Sequence, residues 1–167
     1  MAHEHGSGQG EVAATGILER EHLIVHRVVA AMAKLADELE HGSDPTAPVL
    51  DGLVSFLREF VDHSHHAKEE RWLFPLLVAK GVPASGCPIG ALEHEHEKGR
   101  VLGAQLSEAV QTYKAQGLTA ARQQLIQSLR GLIDLYPGHI WKEDYMLFPL
   151  AHKVLSGKDQ QELAEHF

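Results

Sequence analysis

The apolar positions of the chain recur with the spacing of α-helices. From Ile17 to Glu40 they follow one another at steps of three, four and seven residues, which places them on one face of a helix. The same spacing returns in residues 46–80, from about Pro88 to Gln116, and in residues 118–154. The period-two alternation of a half-buried strand is not sustained along the sequence. The pattern therefore predicts an all-α protein with four long helices.

Glycine and proline mark the connections between these helices. They cluster in residues 41–45 and 81–88, and Gly117 separates the third helix from the fourth. Because such short connections join neighbouring antiparallel helices, we expect an up-down-up-down four-helix bundle, with a short terminal helix from about Lys158. Three prolines lie inside the second and fourth helices, where each predicts a kink or a break: Pro75, Pro137 and Pro149.

Composition narrows the class of protein. The 167 residues suit a single domain, and we assign residues 1–14 to a flexible tail and residues 15–167 to the helical domain. The formal net charge of −8 argues against nucleic acid or an anionic membrane surface as the main partner. A single cysteine, Cys87, excludes an internal disulfide and a thiolate-held metal cluster. Without a long apolar run or a secretory signal, the expected location is the cytoplasm.

The chain repeats itself at an offset of 74 residues. Residues 65–76 align with residues 139–150, and the alignment keeps a histidine at its first position, a glutamate at its fifth and a Leu-Phe-Pro tripeptide near its end. The same offset carries Glu21 and His22 onto Glu95 and His96. The first two helices and the last two are therefore expected to be pseudo-symmetric copies of one helical hairpin.

The repeat retains side chains that bind metals. Each second helix of a hairpin carries a histidine and a glutamate four residues apart, hence on one helix face, and each first helix adds one histidine. All six lie on the inward-facing stripes, where burial is costly unless a partner pairs them. Metal ions are the natural partners, so we predict these ligands: His22, His65, Glu69, His96, His139 and Glu143.

The number and type of these ligands indicate two metal ions. Each metal would take the two histidines of one hairpin, and the two glutamates would bridge between the metals. Structural zinc is usually tetrahedral and rich in thiolate, whereas mixed imidazole and carboxylate ligands suit iron or manganese. Iron is therefore the expected metal, although manganese or zinc can occupy such a site.

The segments that carry these ligands resemble the hemerythrin-like family of HHE cation-binding domains, which are four-helix bundles with a non-haem di-iron centre. The resemblance covers about residues 17–152 and implies that the same six residues hold two iron ions joined by an oxo or hydroxo bridge. It is carried by four segments: residues 21–24, 60–76, 95–100 and 138–144.

One departure from the oxygen-carrying hemerythrins concerns their fifth histidine ligand. In that group it lies on the third helix, four residues after the first histidine there, and Arg100 holds this position here. The first helix instead carries His26, four residues after His22. His26 is therefore expected to be either a fifth ligand beside His22 and His65 or a hydrogen-bonding partner of a ligand. As a ligand it would leave the metal of the second hairpin with an open coordination position.

Two further assignments concern residues beside the predicted ligands. The oxygen carriers use an aspartate five residues after the histidine of the fourth helix, a spacing that Asp144 has, whereas the internal repeat favours Glu143. His63 and His66 flank His65, but an α-helix turns them away from its direction by about 200° and 100°. This rotation disfavours both as ligands and leaves His66 as a candidate for a position next to one.

The expected function is the binding of O2, NO or peroxide at the dimetal centre. Apolar helices around the centre would restrict larger molecules, and Gly99 and Gly103 on the inner face of the third helix would leave space beside the metals. The ligand set is equally compatible with an enzyme, such as a peroxidase, NO reductase or oxidase, and with a sensor of iron or redox state. Turnover would require a redox partner protein.

Overall fold

The computed structural model describes residues 13–167 as an antiparallel bundle of four long helices with a short fifth helix, α5 (Gly157–His166). Its long helices are α1 (Ala14–Glu40), α2 (residues 47–79), α3 (Ile89–Gln116) and α4 (residues 118–154). The all-α prediction is confirmed, because residues 13–167 contain helices and no strand. Most of the predicted N-terminal tail lies outside the described residues. In the described part of the chain, no helix has the length and apolarity needed to cross a bilayer.

Helices α2 and α4 are not α-helical throughout. In α2 the α-helical segments Ala47–Ser55 and Phe74–Ala79 enclose two π-helical segments, Phe56–His66 and Glu69–Leu73. In α4 one π-helical segment, Glu143–Leu147, separates Leu118–Lys142 from Phe148–Val154. A π turn closes its hydrogen bond over five residues instead of four, so each residue advances the helix by a smaller rotation. The side chains that face the core therefore depart from α-helical spacing in these segments.

Of the kink or break predicted at each proline, the structure shows no break, because both helices continue through these positions. Pro75 and Pro149 stand near the start of the last α-helical segments of α2 and α4, directly after a π segment in each case. A proline clashes with the carbonyl four residues before it in a regular α-helix. The wider π turn moves that carbonyl aside, which lets both helices continue. Pro137 lies within the α-helical segment Leu118–Lys142, which also continues through it.

The bundle has two apolar clusters with a polar layer between them. One cluster joins all four long helices around residues such as Met32, Val61 and Leu125. The other closes the opposite end around Leu18, with contributions from α5. Burial of these side chains contributes about 25 cal/mol per Å² of apolar surface removed from water. The polar layer is thus shielded from solvent at both ends of the bundle.

Two phenylalanines connect this layer to the second cluster. Phe148 stacks on the ring of His22 with centroids 5.6 Å apart, and Phe74 stacks on His96 at 5.8 Å. Each pair joins one helical hairpin to the other, and the two pairs are related by the 74-residue offset. The repeated Leu-Phe-Pro segment therefore supplies both the π turn and a ring that orients a histidine.

Candidate metal centre

The polar layer contains six of the seven predicted ligands. Their imidazole and carboxylate groups converge between the four long helices, and each residue is at most 2% exposed. In chain order, these six residues are His22, His65, Glu69, His96, His139 and Glu143.

The histidines of the first hairpin form one half of the centre. Nε2 of His22 lies 3.1 Å from Nε2 of His65. One oxygen of each glutamate faces this pair: Oε2 of Glu143 lies 3.0 Å from His22 Nε2, and Oε1 of Glu69 lies 3.9 Å from His65 Nε2. These four residues can offer ligand atoms that all lie within 4.8 Å of one another.

The histidines of the second hairpin face the remaining carboxylate oxygens. Oε1 of Glu143 lies 3.2 Å from His139 Nε2 and 3.6 Å from His96 Nε2. Oε2 of Glu69 lies 3.4 Å from His96 Nε2. Each glutamate thus directs one oxygen to each histidine pair, which is the arrangement of a bridging carboxylate.

The positions of His66 and His26 differ from those that the sequence suggested, because His66 and not His26 lies at the centre. His66 is buried, stacks on His96 with ring centroids 3.8 Å apart, and joins His96 and His139 in a second group of candidate ligands within 4.8 Å. His26 is exposed on α1 and belongs to neither group. The π segment Phe56–His66 explains the difference, because its smaller rotation per residue turns both His65 and His66 inward.

The two neighbouring carboxylates of α4 occupy different positions. Glu143 is completely buried at the middle of the centre. Asp144 is 29% exposed, and its Oδ1 accepts a hydrogen bond from Nδ1 of His22 at 2.7 Å. Of the two, the structure therefore brings Glu143 to the candidate ligand group and Asp144 to the outer side of a histidine.

Buried polar atoms at the centre lack partners among residues 13–167. Both carboxylate oxygens of Glu69 and of Glu143 have no hydrogen bond, and the same holds for Nε2 of His96 and His139. An unpaired carboxylate in a protein interior is strongly destabilising. Cations would pair all of these atoms at once. The carboxylate oxygens and imidazole nitrogens of the centre are therefore suited to binding metal ions.

Each of the four histidines uses its other ring nitrogen for an outer hydrogen bond. In every case Nδ1 donates to a carboxylate, which leaves the Nε2 lone pair directed into the centre. The donor–acceptor distances run from 2.7 to 3.1 Å. Two bonds join helices of different hairpins, His22 to Asp144 and His96 to Glu70. The other two lie within one hairpin each, His65 to Glu21 and His139 to Glu95.

Two of these outer glutamates are in turn paired with lysines. Lys68 bonds to Glu21, and Lys142 bonds to Glu95. The hydrogen bonds with His139 and Lys142 lower the pKa of Glu95 to about 2 even though burial opposes this shift. Both lysine–glutamate–histidine chains are related by the 74-residue offset. The repeat therefore duplicates the outer hydrogen-bonding partners as well as the candidate ligands.

Comparison with known proteins shows the family of the chain. The family described as "Hemerythrin HHE cation binding domain" matches residues 13–151. The chain belongs to this family. No solved structure matches the chain significantly.

Curated relatives of this HHE domain share 28–29% identity with it. An uncharacterised protein of Mycobacterium tuberculosis is 28% identical over 93% of the chain, which spans 60% of the length of that relative. The iron-sulfur cluster repair protein YtfE of Dickeya chrysanthemi is 29% identical over 81% of the chain and 62% of its own length. The iron-sulfur cluster repair protein DnrN of Neisseria gonorrhoeae is 28% identical over 79% of the chain and 85% of its own length.

Without cations, the centre of the HHE domain holds protons instead. Burial and the neighbouring Glu143 hold the pKa of Glu69 well above its ordinary value. The pKa of Glu143 is well below its ordinary value, since the surrounding His139, His22 and His96 outweigh the effect of burial. Burial opposes protonation of His22, yet the hydrogen bond to Asp144 and the nearby carboxylate of Glu143 raise its pKa to about 9. The metal-free centre therefore shares protons between carboxylates and imidazoles.

Replacing His66 separates the two candidate fifth histidines. His66→Leu is expected to weaken metal binding at the second histidine pair at least about tenfold, since loss of a mere outer partner already costs 10- to 100-fold. His26→Leu, on the exposed face of α1, should bind metal like the wild type. Competition with a chelator of known affinity measures both effects. Unchanged metal affinity in His66→Leu would show that His66 only packs against His96.

The outer carboxylates can be tested in the same assay. Glu95→Gln keeps the size of the side chain but removes the charge that His139 Nδ1 faces at 3.1 Å. We expect metal affinity to fall about 10- to 100-fold. Glu93→Gln, an exposed substitution on the same helix, is the matched control and should leave affinity unchanged. Equal affinities of the two variants would contradict a role for Glu95 in orienting His139.

Proposed function

We propose that this HHE domain holds two iron ions and binds O2, NO or peroxide at them. The observation that carries the proposal is the position of Glu69 and Glu143, which each direct one oxygen to either histidine pair while none of these oxygens has a hydrogen-bond donor in the described chain. Two cations between two bridging carboxylates would satisfy the whole set.

The choice of iron follows from the donor atoms. Imidazole nitrogens and carboxylate oxygens without thiolate suit iron or manganese with more than four ligands, whereas structural zinc sites are closed and tetrahedral. The names of two relatives, both iron-sulfur cluster repair proteins, connect the family to iron chemistry. When bound, an iron pair would supply electrons and open coordination positions to a small ligand.

The protein residues bind, orient and shield this pair. The Nδ1 bonds to outer carboxylates fix each imidazole, so that Nε2 is available without reorientation. The apolar clusters at both ends of the layer exclude water, which strengthens electrostatic interactions inside it. Phe74 and Phe148 hold the rings of His96 and His22 from the side of the second cluster.

The test begins with metal analysis of the purified wild-type protein. We expect close to two metals per chain, mainly iron, and a large loss of metal in His65→Ala. The anaerobically reduced protein is then exposed separately to O2, NO and hydrogen peroxide while its absorption spectrum is recorded. A metal content of one or none, or a spectrum that none of the three changes, would reject the proposal.

A second candidate is an enzyme built on the same centre, including one that acts in the repair of iron-sulfur clusters. The similarity to DnrN, which is matched over 85% of its length, favours this candidate. Repeated turnover of NO or peroxide with an electron donor, or transfer of iron to an iron-depleted iron-sulfur protein, would support it. A stoichiometric complex without turnover supports binding as the function.

A further inference from the structure

A cavity of about 310 Å³ lies beside the second histidine pair. It reaches the surface between α2 and α3, where Arg58 and Ala104 are exposed, and its inner end is formed by buried residues. The buried residues of that inner part include both apolar and polar groups, namely Leu57, Val61, His66, Gly99 and Tyr136, and the half-buried Gly103 also lines the cavity.

Two glycines of α3 provide the space. A Cβ atom added at Gly103 would meet no atom within 4 Å, and one added at Gly99 would lie 3.3 Å from the Tyr136 hydroxyl. The 74-residue offset carries Gly99 and Gly103 onto Val25 and Val29, which are buried in the apolar core. Valine side chains therefore occupy the two positions of α1 that match Gly99 and Gly103, whereas the glycines of α3 leave space for the cavity.

The inner end of the cavity contains polar groups without partners. Tyr136 is 3% exposed, and its side chain lines the cavity without a hydrogen bond to the rest of the described range 13–167. His66 is 2% exposed, and its Nδ1 likewise has no hydrogen bond among these residues, with the carboxylate oxygen Oδ1 of Asp62 3.9 Å away. Leaving such buried groups unpaired is costly, and a ligand that can both donate and accept a hydrogen bond would satisfy them.

The size and charge of the cavity indicate the kind of ligand. A cavity of about 150 Å³ is large enough for benzene, and this one is about twice that volume. O2 or NO would occupy only a small part of it. The guanidinium of Arg100 is paired with Asp62 and Glu70, and that of Arg58 with Glu59, so neither positive charge at the mouth is left free for an anionic ligand. A neutral molecule with an apolar body fits these walls best.

We propose that the cavity binds the apolar body of a small organic hydroperoxide, or of the alcohol that shares its O–H end, with this end against His66 and Tyr136. The inference rests on the proposed function, in which the centre binds peroxide. It adds small organic hydroperoxides to the peroxides that would reach the centre.

Binding can be measured without redox chemistry on protein loaded with zinc. Calorimetric titration uses three compounds of one shape: cumene hydroperoxide, 2-phenylpropan-2-ol and the hydrocarbon cumene. We expect the two compounds with an O–H end to bind at least about tenfold more tightly than cumene, a ratio equivalent to about 1.4 kcal/mol. Tighter binding of the hydroperoxide than of the alcohol identifies it as the preferred class, and the reverse order identifies the alcohol. Failure of both to bind would overturn the proposal.

Variants place the binding in this cavity. Gly103→Leu fills the open space and is expected to weaken binding of both O–H compounds at least about tenfold, whereas Gly52→Leu makes the same change at an exposed position of α2 outside the cavity. Tyr136→Phe should weaken binding of the alcohol but leave that of cumene unchanged. Unaltered affinity in Gly103→Leu would overturn the assignment.

The same preparations distinguish the two proposals. Gly103→Leu should retain the metal content of the wild type, because Gly103 belongs to neither group of candidate metal ligands. An iron-loaded wild type that responds to NO while its zinc form binds neither O–H compound would overturn the cavity ligand and leave the proposed function standing. Binding of these compounds without any response to O2, NO or hydrogen peroxide would remove the proposed function and support the cavity site.

Discussion

Glu143→Ala protein is expected to retain at most about a tenth of the metal that the wild type binds. The two oxygens of this glutamate face different halves of the centre, at 3.0 Å from His22 Nε2 and 3.2 Å from His139 Nε2. Removing them deprives both metal positions of a carboxylate. Because the loss of an outer partner alone costs about 10- to 100-fold in affinity, loss of a bridging group should cost more.

Metal analysis after dialysis against a weak chelator measures this loss. Glu38→Ala provides the control, since Glu38 is an exposed residue of α1 that pairs only loosely with Lys34 at 3.8 Å. This control should carry the same metal as the wild type. Loss of one metal with full retention of the other in Glu143→Ala would contradict a bridging role for Glu143.

Removal of the metals is expected to lower the melting temperature by roughly 10 °C at neutral pH. A ligand present at about 1,000 times its dissociation constant stabilises the fold by about 4 kcal/mol, and each kcal/mol shifts the midpoint of a chain of this length by about 2–4 °C. Metal-free protein must also keep Glu69 and Glu143 buried without cations. Thermal unfolding of chelated and reloaded samples, followed by circular dichroism, measures the difference.

The same experiment should show opposite pH dependences for the two forms. In the metal-free protein the pKa of His22 is raised to about 9, so protonation of His22 stabilises the fold below about pH 6.5 and this stabilisation is lost as the pH rises through about 9. Glu69 and His96, whose pKa values are also raised, act in the same direction. Burial lowers the pKa values of His65 and His66, which oppose this trend only below about pH 6.5. Metal binding instead requires deprotonated ligands and strengthens as the pH rises. Parallel pH profiles with and without metal would contradict this account.

The internal repeat made most of the centre predictable from the sequence. A single histidine on an apolar helix face has little meaning, but the 74-residue offset selects His22 and His65 with their counterparts and ties each pair to a glutamate. The helices follow equally directly from the apolar spacing, with observed bounds close to the predicted ones. Both inferences depend only on which residues share a helix face.

The rest depended on helix geometry that the spacing does not reveal. A regular α-helix turns by about 100° per residue, which would direct His66 outward and leave His26 as the fifth candidate. Pro75 and Pro149 could have signalled the π segments directly before them, since both interrupt an otherwise continuous helical pattern. The longer segment Phe56–His66 has no such marker, and this segment brings His66 inward.

The outer layer was missed although its signal was present. Glu21 with Lys68 and Glu95 with Lys142 obey the same offset as the predicted ligands. Their roles become visible only when α1 packs on α2 and α3 on α4, because each glutamate then reaches the histidine of the neighbouring helix. A repeat identifies the positions that matter, whereas tertiary contacts assign what they do.

The crossed contacts between the hairpins have a consequence for the origin of the chain. Phe148 with Asp144 engages His22, and Phe74 with Glu70 engages His96, so each half completes the other in the same way. Two separate copies of one ancestral half, related by a twofold axis, would form the same self-complementary assembly. The present chain has the organisation of such a homodimer joined into one polypeptide, in which each half can carry residues that its twin lacks: His66 aligns with Ile140, and Gly103 aligns with Val29.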